Sequence, residues 1–474
     1  MIRKSTKLIG QLAIPLLALT LVLPCGAASS SATAAINTLY TFNNLGDGGY
    51  PESGLVRTSG GVLYGTTYLG GASGWGTVFE LVPNTGGKTY TQYVLYSFTG
   101  LADGANPVSD LVIGNSGILY GTTYGGGAHG YGTVFELLPA SKVGEPWTEK
   151  VLYSFQGGTA DGAYPAAGVT WRSASGVLYG TTYGGGTGGF GTVFELVPNA
   201  NTGTWTETVL YNFQSGTDGA YPLTDLVLAN SSTITIYGTT SQGGSITIPA
   251  GTAPVGTNPG CAANPYNAPC TYENWGTVFQ LVGSGGGKFT ETLLYTFFGA
   301  ADGGSPESAL IMGTGGVFYG STFWGGTPTS CATGDYPQGC GVVYELTPPT
   351  SGSGPYTETA LHTFTNSLPD GEHPYRNMTM GSTGILYGTT YAGGQNVDTC
   401  FPAEAFVGCG TIFDLTPPSA PGGTWKKANL IALDGQNGGG PNGVILGGAA
   451  GTLYGTTEYG GPGESYGIVY EWVQ

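Results

Sequence analysis

The sequence is poor in charge. Of 474 residues, 12 are basic, 29 are acidic and three are His, where an ordinary chain is about one quarter charged. So few Lys and Arg exclude a nucleic-acid partner, because phosphate binding needs a basic footprint. Disorder is excluded too, since 12% of residues are aromatic and disordered chains are charged and poor in aromatics. Beyond residue 34 no run is apolar enough to cross a membrane as a helix. The His-Glu-x-x-His and phosphate-loop signatures are also missing. Glycine, by contrast, occurs 89 times. It follows no three-residue period, which excludes collagen, and in helices it costs about 1 kcal/mol per residue. An all-β chain with many tight turns remains.

Residues 1–34 read as a cleaved secretory signal. Arg3, Lys4 and Lys7 form a basic start, Ile9 to Leu23 an apolar stretch, and Ala32-Thr33-Ala34 a small-x-small cleavage site. Cys25 offers a lipidation site, although Pro24 before it fits that signal badly. Without the leader, nine basic residues face 29 acidic ones, a net charge of −20. The expected location is secreted, periplasmic or cell-surface, with no transmembrane segment after cleavage and a monomeric chain.

Repetition dominates the rest of the chain. Leu63-Tyr64-Gly65-Thr66-Thr67 returns with its tyrosine at 120, 179, 237, 319, 387 and 454, at spacings of 56, 59, 58, 82, 68 and 67 residues. Gly76-Thr77-Val78-Phe79-Glu80-Leu81 comes after the first motif and also has seven copies. Leu39-Tyr40-Thr41-Phe42 recurs as a third motif, and Asp-Gly-x-x-Pro, as in Asp47 to Pro51, joins the third to the first. Four strand-like runs in such a period point to the blade of a β-propeller. The expectation is one seven-bladed all-β propeller over 35–474, with four-stranded antiparallel blades. The blades span approximately 51–98, 107–155, 165–213, 222–297, 306–364, 374–433 and 441–474. The last lacks an outer strand, which residues 38–42 supply, closing the ring and removing an exposed sheet edge.

The Leu-Tyr-Gly-Thr-Thr-Tyr-x-Gly-Gly…Gly-Thr-Val-Phe-Glu-Leu pattern resembles the GloVer tandem-repeat family of exported bacterial proteins, over essentially all of residues 35–474. The resemblance implies export and a repeat array, and brings no catalytic residues. Such proteins often end in a surface-sorting segment, and this sequence stops at Tyr470-Glu471-Trp472-Val473-Gln474.

Residues present in every blade are expected to be structural, the recurring Glu80-type carboxylates and the Asp47-type turn aspartates included. For the latter calcium is the alternative reading, although no Asp-x-Asp-x-Asp loop occurs. Function is sought where the blades differ. The loops between the second and third strands are long in blades 4, 5 and 6. They carry Cys261 and Cys270, Cys331 and Cys340, and Cys400 and Cys409, each pair with eight residues between its members. Three local disulfides are expected, with zinc the weaker alternative because no His lies near. Tyr266, Tyr272, Trp324, Asp335, Tyr336, Phe401, Glu404 and Phe406 lie in or beside these loops. Aromatics with scattered carboxylates suit a glycan or a cell-surface protein. His373, Tyr375 and Arg376 are the candidates for catalysis of a polysaccharide-lyase type, Arg376 neutralising a uronate and His373 or Tyr375 moving protons. Glycan or envelope binding without catalysis is the leading function; a carbohydrate-active enzyme and a structural envelope protein are the alternatives.

Overall fold

The computed structural model describes residues 35–474 apart from 230–232, 245, 249–269, 273–274, 285, 288, 300, 327–330, 332–338, 353, 366–368, 396–399, 401–407, 421, 449–450 and 463–465. In blade 1 an inner strand a (Val56–Arg57) is followed by b (Leu63–Thr67), c (Thr77–Pro83) and an outer strand d (Tyr90–Ser97). The a-b-c-d meander recurs in blades 2 to 6, and all neighbours are antiparallel. In blade 7 the order from the axis outward is Gly439–Leu446, Thr452–Tyr459, Ile468–Val473 and Ala35–Thr41. The ring is therefore a seven-bladed propeller closed by its N-terminal strand. Thr38 faces Tyr470, Tyr40 faces Val469, and Leu39 bulges out between them. Strand d of blade 1 bulges in the same way, skipping Leu95. Phe42 N–H completes the seam on Gly467 O at 3.0 Å.

The motifs explain themselves in the packing. In six of the seven blades the aromatic that closes strand d reaches into the next blade and meets the strand c aromatic. Phe42 meets Phe79, Phe98 meets Phe135 and Phe155 meets Phe194, with ring centroids 5.1–5.2 Å apart. Phe213, Phe297 and Phe364 repeat the contact on Phe279, Tyr344 and Phe413. Each pair adds about 0.5–1.5 kcal/mol to the burial of its rings. The strand c ring lies over the glycine of Leu-Tyr-Gly: a Cβ at Gly65 would sit 2.7 Å from Phe79 Cζ. Gly76 has a second reason to be glycine. Its φ is +96°, and a Cβ there would strike Thr67 O at 2.4 Å and Cδ of Pro107, in the next blade, at 2.6 Å.

The two threonines divide their work. Thr67 ties b to c, with its hydroxyl 2.9 Å from Thr77 Oγ1, and the bond recurs in blades 2, 3, 4 and 6. Thr66 instead bonds strand a at Ser53 Oγ, 2.9 Å away. Thr122 and Thr456, at the same position, donate to Ala167 O and Ser53 O of the following blades.

The turn aspartates accept from the strand d tyrosines. Tyr40 donates its hydroxyl to Asp47, and Tyr96, Tyr153, Tyr211 and Tyr295 donate theirs to Asp103, Asp161, Asp218 and Asp302, all at 2.9–3.0 Å. Each of these carboxylates also caps a backbone N–H, as at Asn43 and Thr99. A second carboxyl faces four of them from strand d. Burial and Asp103 push Glu149 up to about 7, and burial and Asp218 do the same to Glu291. Glu207 and Glu358 are pushed up to about 8 by burial and by Asp161 and Asp302. The first and last blades of this series avoid the conflict. Gln92 donates to Asp47 O, and the Lys427 ammonium stands 2.8 Å from Asp370 Oδ1.

Two outcomes are expected from this packing. Phe42→Ala, which empties a fully buried position at the seam, should cost about 3–5 kcal/mol in denaturant unfolding. Because the four glutamates are harder to ionise when folded, their contribution is complete in acid and is lost as pH rises through about 7 to 8. The melting temperature is expected to fall between about pH 5 and 8.5. Converting Glu149, Glu207, Glu291 and Glu358 to Gln should flatten that slope; an unchanged slope would refute the assignment.

Candidate functional site

Strand a of each blade starts just after the Asp-Gly-x-x-Pro crossing and runs down the axis. The residue before each proline is left-handed: Tyr50, Asn106, Tyr164, Tyr221, Ser305, His373 and Gly440 have φ of 55–60°. Each donates its N–H across the blade boundary to the residue before the Gly-Thr-Val motif. Tyr50 uses Tyr466 O, Asn106 uses Trp75 O, and Tyr164 uses Tyr131 O. At this position blades 5 and 6 carry cysteine, and the acceptors become Cys340 O and Cys409 O. The cysteines are bonded as Cys331–Cys340 and Cys400–Cys409. A disulfide thus replaces the aromatic that braces the crossing elsewhere.

Aromatic side chains from these crossings ring the mouth of the axial channel. Tyr124 stacks on Tyr164 at 5.2 Å, Tyr183 on Tyr221 at 4.7 Å, and Phe323 on His373 at 4.6 Å. Trp324 closes edge-on against His373 at 4.5 Å. Beneath the mouth is a cavity of about 410 Å³, within the roughly 300–1,000 Å³ of small-ligand pockets. Glu52, Glu307, Tyr375 and Arg376 supply its polar wall, and Val108, Ala166 and Leu223 its apolar wall.

Two residues further along, just before strand a, three side chains meet across the blades. Asp110, Asp225 and Asn377 reach the axis from blades 2, 4 and 6. Each accepts a backbone N–H from the preceding blade: Gly54 to Asp110 at 2.6 Å, Gly168 to Asp225 at 2.7 Å, Ala309 to Asn377 at 2.9 Å. Asn377 Nδ2 then donates to both carboxylates, at 3.0 and 3.3 Å. Burial pushes both aspartates up, and Asp110 pushes Asp225 further. The cavity and this plug are adjacent in sequence through Arg376, which lines the cavity, and Asn377.

Arg376 lies between plug and cavity with its guanidinium 4.8 Å above the Tyr375 ring. Its Nε is buried without a hydrogen-bond acceptor, and no ion pair within 4 Å involves it among the described residues. Burial pushes Glu307 up to about 7 against the pull of Ser305 and Arg376, and raises Glu52 likewise. Tyr375 is pushed up to about 12 by burial. The pocket therefore offers donors on a free guanidinium, acceptors on two carboxyls, and aromatic faces above.

Of the catalytic candidates, Tyr375 and Arg376 reach the cavity. His373 is fully buried behind Phe323 and Trp324. Its Nδ1 is 2.9 Å from Phe323 O, and burial lowers it to about 4. It holds the stacking position that Tyr164 and Tyr221 hold elsewhere. Trp324 is at the rim. Tyr266, Asp335, Tyr336, Phe401, Glu404, Phe406 and Cys261 lie outside the described residues, and of Cys270 and Tyr272 only the strand they share with Ile246–Ile248 is described. Glu52, Glu307, Asp110, Asp225 and Asn377 went unnoticed in the sequence. Their signal is the residue one or three places after the crossing proline, where the repeats disagree most. Gly463-Glu464-Ser465-Tyr466-Gly467 has nucleophile-turn spacing, but that turn joins a strand to a helix, and here Tyr466 precedes strand Ile468–Val473.

Asn377→Asp would place a third carboxyl in the plug. A loss of about 1–3 kcal/mol at neutral pH is expected, recovered in acid where the added group is protonated. Denaturant unfolding at two pH values checks this, and equal losses at both would count against the plug geometry.

Solved structures share this fold at low identity. A PL25 ulvan lyase, a polysaccharide lyase bound to -[GlcA(1-4)Rha3S]-, superposes with a TM-score of 0.51 at 9% identity, covering 92% of this chain and 95% of its own. A second ulvan lyase structure gives 0.51 at 8%, with the same coverage. No curated protein sequence matches the chain. The family model for the Gloeobacter/Verrucomicrobia repeat matches residues 28–252 and 268–473, and the chain belongs to that family.

Proposed function

We propose that the protein is an exported, noncatalytic carbohydrate-binding propeller that holds the end of a glycan in the axial cavity, with the aromatic mouth and the disulfide-stapled loops of blades 4 to 6 gripping the sugars beyond it. The observation that carries this reading is the free guanidinium of Arg376 beside Glu52 and Glu307 in a tyrosine-lined pocket. Sugars present hydroxyls that accept from such donors and donate to such carboxyls, and their apolar faces stack on aromatic rings. Export rests on the basic-apolar leader and on disulfides, which persist in oxidising compartments.

The lyase reading keeps one supporting observation, the Tyr375–Arg376 pair in the cavity wall, together with a fold shared with a polysaccharide lyase. Binding is preferred because proton abstraction needs a base in reach of the sugar. His373 is covered by two aromatic rings, and Tyr375 is a poor base at about 12.

The test is affinity electrophoresis and turnover on a panel of neutral and acidic polysaccharides. Retention without turnover is expected, weakened about tenfold by Arg376→Gln, the scale of one lost charge-assisted hydrogen bond, with the melting temperature preserved. Unsaturated uronate absorbance that disappears in Tyr375→Phe would establish the lyase. Neither retention nor turnover would leave the structural envelope role.

A further inference from the structure

The charge of the cavity is set by five carboxyls around one guanidinium. Glu52 from blade 1 and Glu307 from blade 5 stand in the wall, and Asp110 and Asp225 from blades 2 and 4 are held by Asn377, the residue after Arg376. Glu458 acts from the end of strand b in blade 7, and Tyr375 lies under the guanidinium itself. Blade 3 contributes Ala166 and nothing that titrates. All five carboxyls act electrostatically with Arg376. None is within 4 Å as an ion pair among the described residues. The arginine is thus held in a field that its surroundings can cancel without occupying its hydrogen-bonding fork.

We propose that the cavity is a proton-gated site for an acidic sugar: Arg376 takes the sugar's carboxylate while the surrounding carboxyls are protonated, and their ionisation expels it. This rests on the carbohydrate reading and adds the ligand class and its control. In acid Glu307 and Asp225, both pushed up to about 7 by burial, are neutral, while Arg376 keeps its charge and matches a carboxylate with two parallel N–H bonds. As pH rises, each ionisation subtracts from the positive field in a cavity with apolar walls, where charges are weakly screened. Burial places the Glu307 step at about 7. By linkage, an anion bound at Arg376 makes these carboxyls harder to ionise, so binding takes up protons. The sugar's own carboxylate, with an ordinary value of about 3.5–4, stays charged throughout.

The experiment measures binding of D-glucuronate and D-galacturonate to the whole protein by ligand-observed NMR at about pH 5.5 and 8.5, with D-glucose and D-galactose as neutral controls. Uronate binding is expected at the lower pH and should weaken about tenfold or more at the higher, one proton per site being worth up to tenfold per pH unit. Glu307→Gln, which cannot ionise, should retain more of the binding at high pH. Arg376→Gln should lose the preference for uronate over the neutral sugar. Absence of uronate binding at the lower pH, uronate and neutral sugar binding alike, or affinity independent of pH would each overturn the proposal. Retention of neutral polysaccharides in those cases leaves the carbohydrate reading standing, whereas failure of every glycan removes both.

Discussion

Everything in this ring hangs on one contact made between neighbouring blades. The last aromatic of an outer strand lies against the strand c aromatic of the next blade, and that second ring is seated on a glycine of strand b. The contact sets the distance between blades, hides the flat faces of the sheets, and accounts for the glycine in every Leu-Tyr-Gly. It also explains the shortage of charge. Sheets that are covered on both sides by other sheets have little solvated surface to carry Lys or Glu, and the carboxylates they do contain are tied to tyrosines and turn amides. At the blade 6–blade 7 boundary Leu433 takes the place of the aromatic, and both it and Tyr470 are fully buried.

The sequence made the fold legible because structure repeats and so do its reasons. Seven glycines, six threonine pairs and six turn aspartates each report the same local contact. The missing outer strand of blade 7 could be matched to Leu39-Tyr40-Thr41-Phe42 by motif alone. The disulfides Cys331–Cys340 and Cys400–Cys409 were visible as equal spacings. The site was harder to read for the opposite reason. Gly54, Asp110, Gly168, Asp225, Ala309, Asn377 and Gly443 hold equivalent places near the start of the inner strand, yet only some are polar: three are Gly, one Ala, two Asp and one Asn. Their significance comes from meeting at one axis, and no pair of them is closer than about 50 residues in sequence. Attention to long loops picked out Trp324, which packs on His373, and missed the residues that line the pocket. His373 looked chemical as a sequence departure, and the packing shows a ring filling an aromatic slot.

Burial gives the acidic residues two different roles. Around the outer half of the ring, Glu149, Glu207, Glu291 and Glu358 face the turn aspartates and are strained by that proximity, while Gln92 and Lys427 relieve it at either end of the series. At the axis, Asp110 and Asp225 are instead reconciled by Asn377, whose amide donates to both. The first arrangement tunes stability, and the second joins blades 2, 4 and 6 at the axis. In blades 5 and 6, Cys340 and Cys409 stand where the other blades carry an aromatic, and the crossing keeps its acceptor.

The axial plug carries a consequence of parity. Each long polar arm, Asp110, Asp225 or Asn377, needs a small neighbour in the preceding blade whose N–H it can reach: Gly54, Gly168 or Ala309. Arms and small partners alternate through six blades, but seven is odd, and the alternation cannot close on itself. The leftover small residue is Gly443, which lies against Asn377, and beside it Asn442 donates its amide to Pro51 O across the seam at 2.8 Å. Inserting or deleting a single blade anywhere else would set two arms or two gaps side by side. Only at the seam, between Gly443 and Gly54, would one further arm complete the alternation.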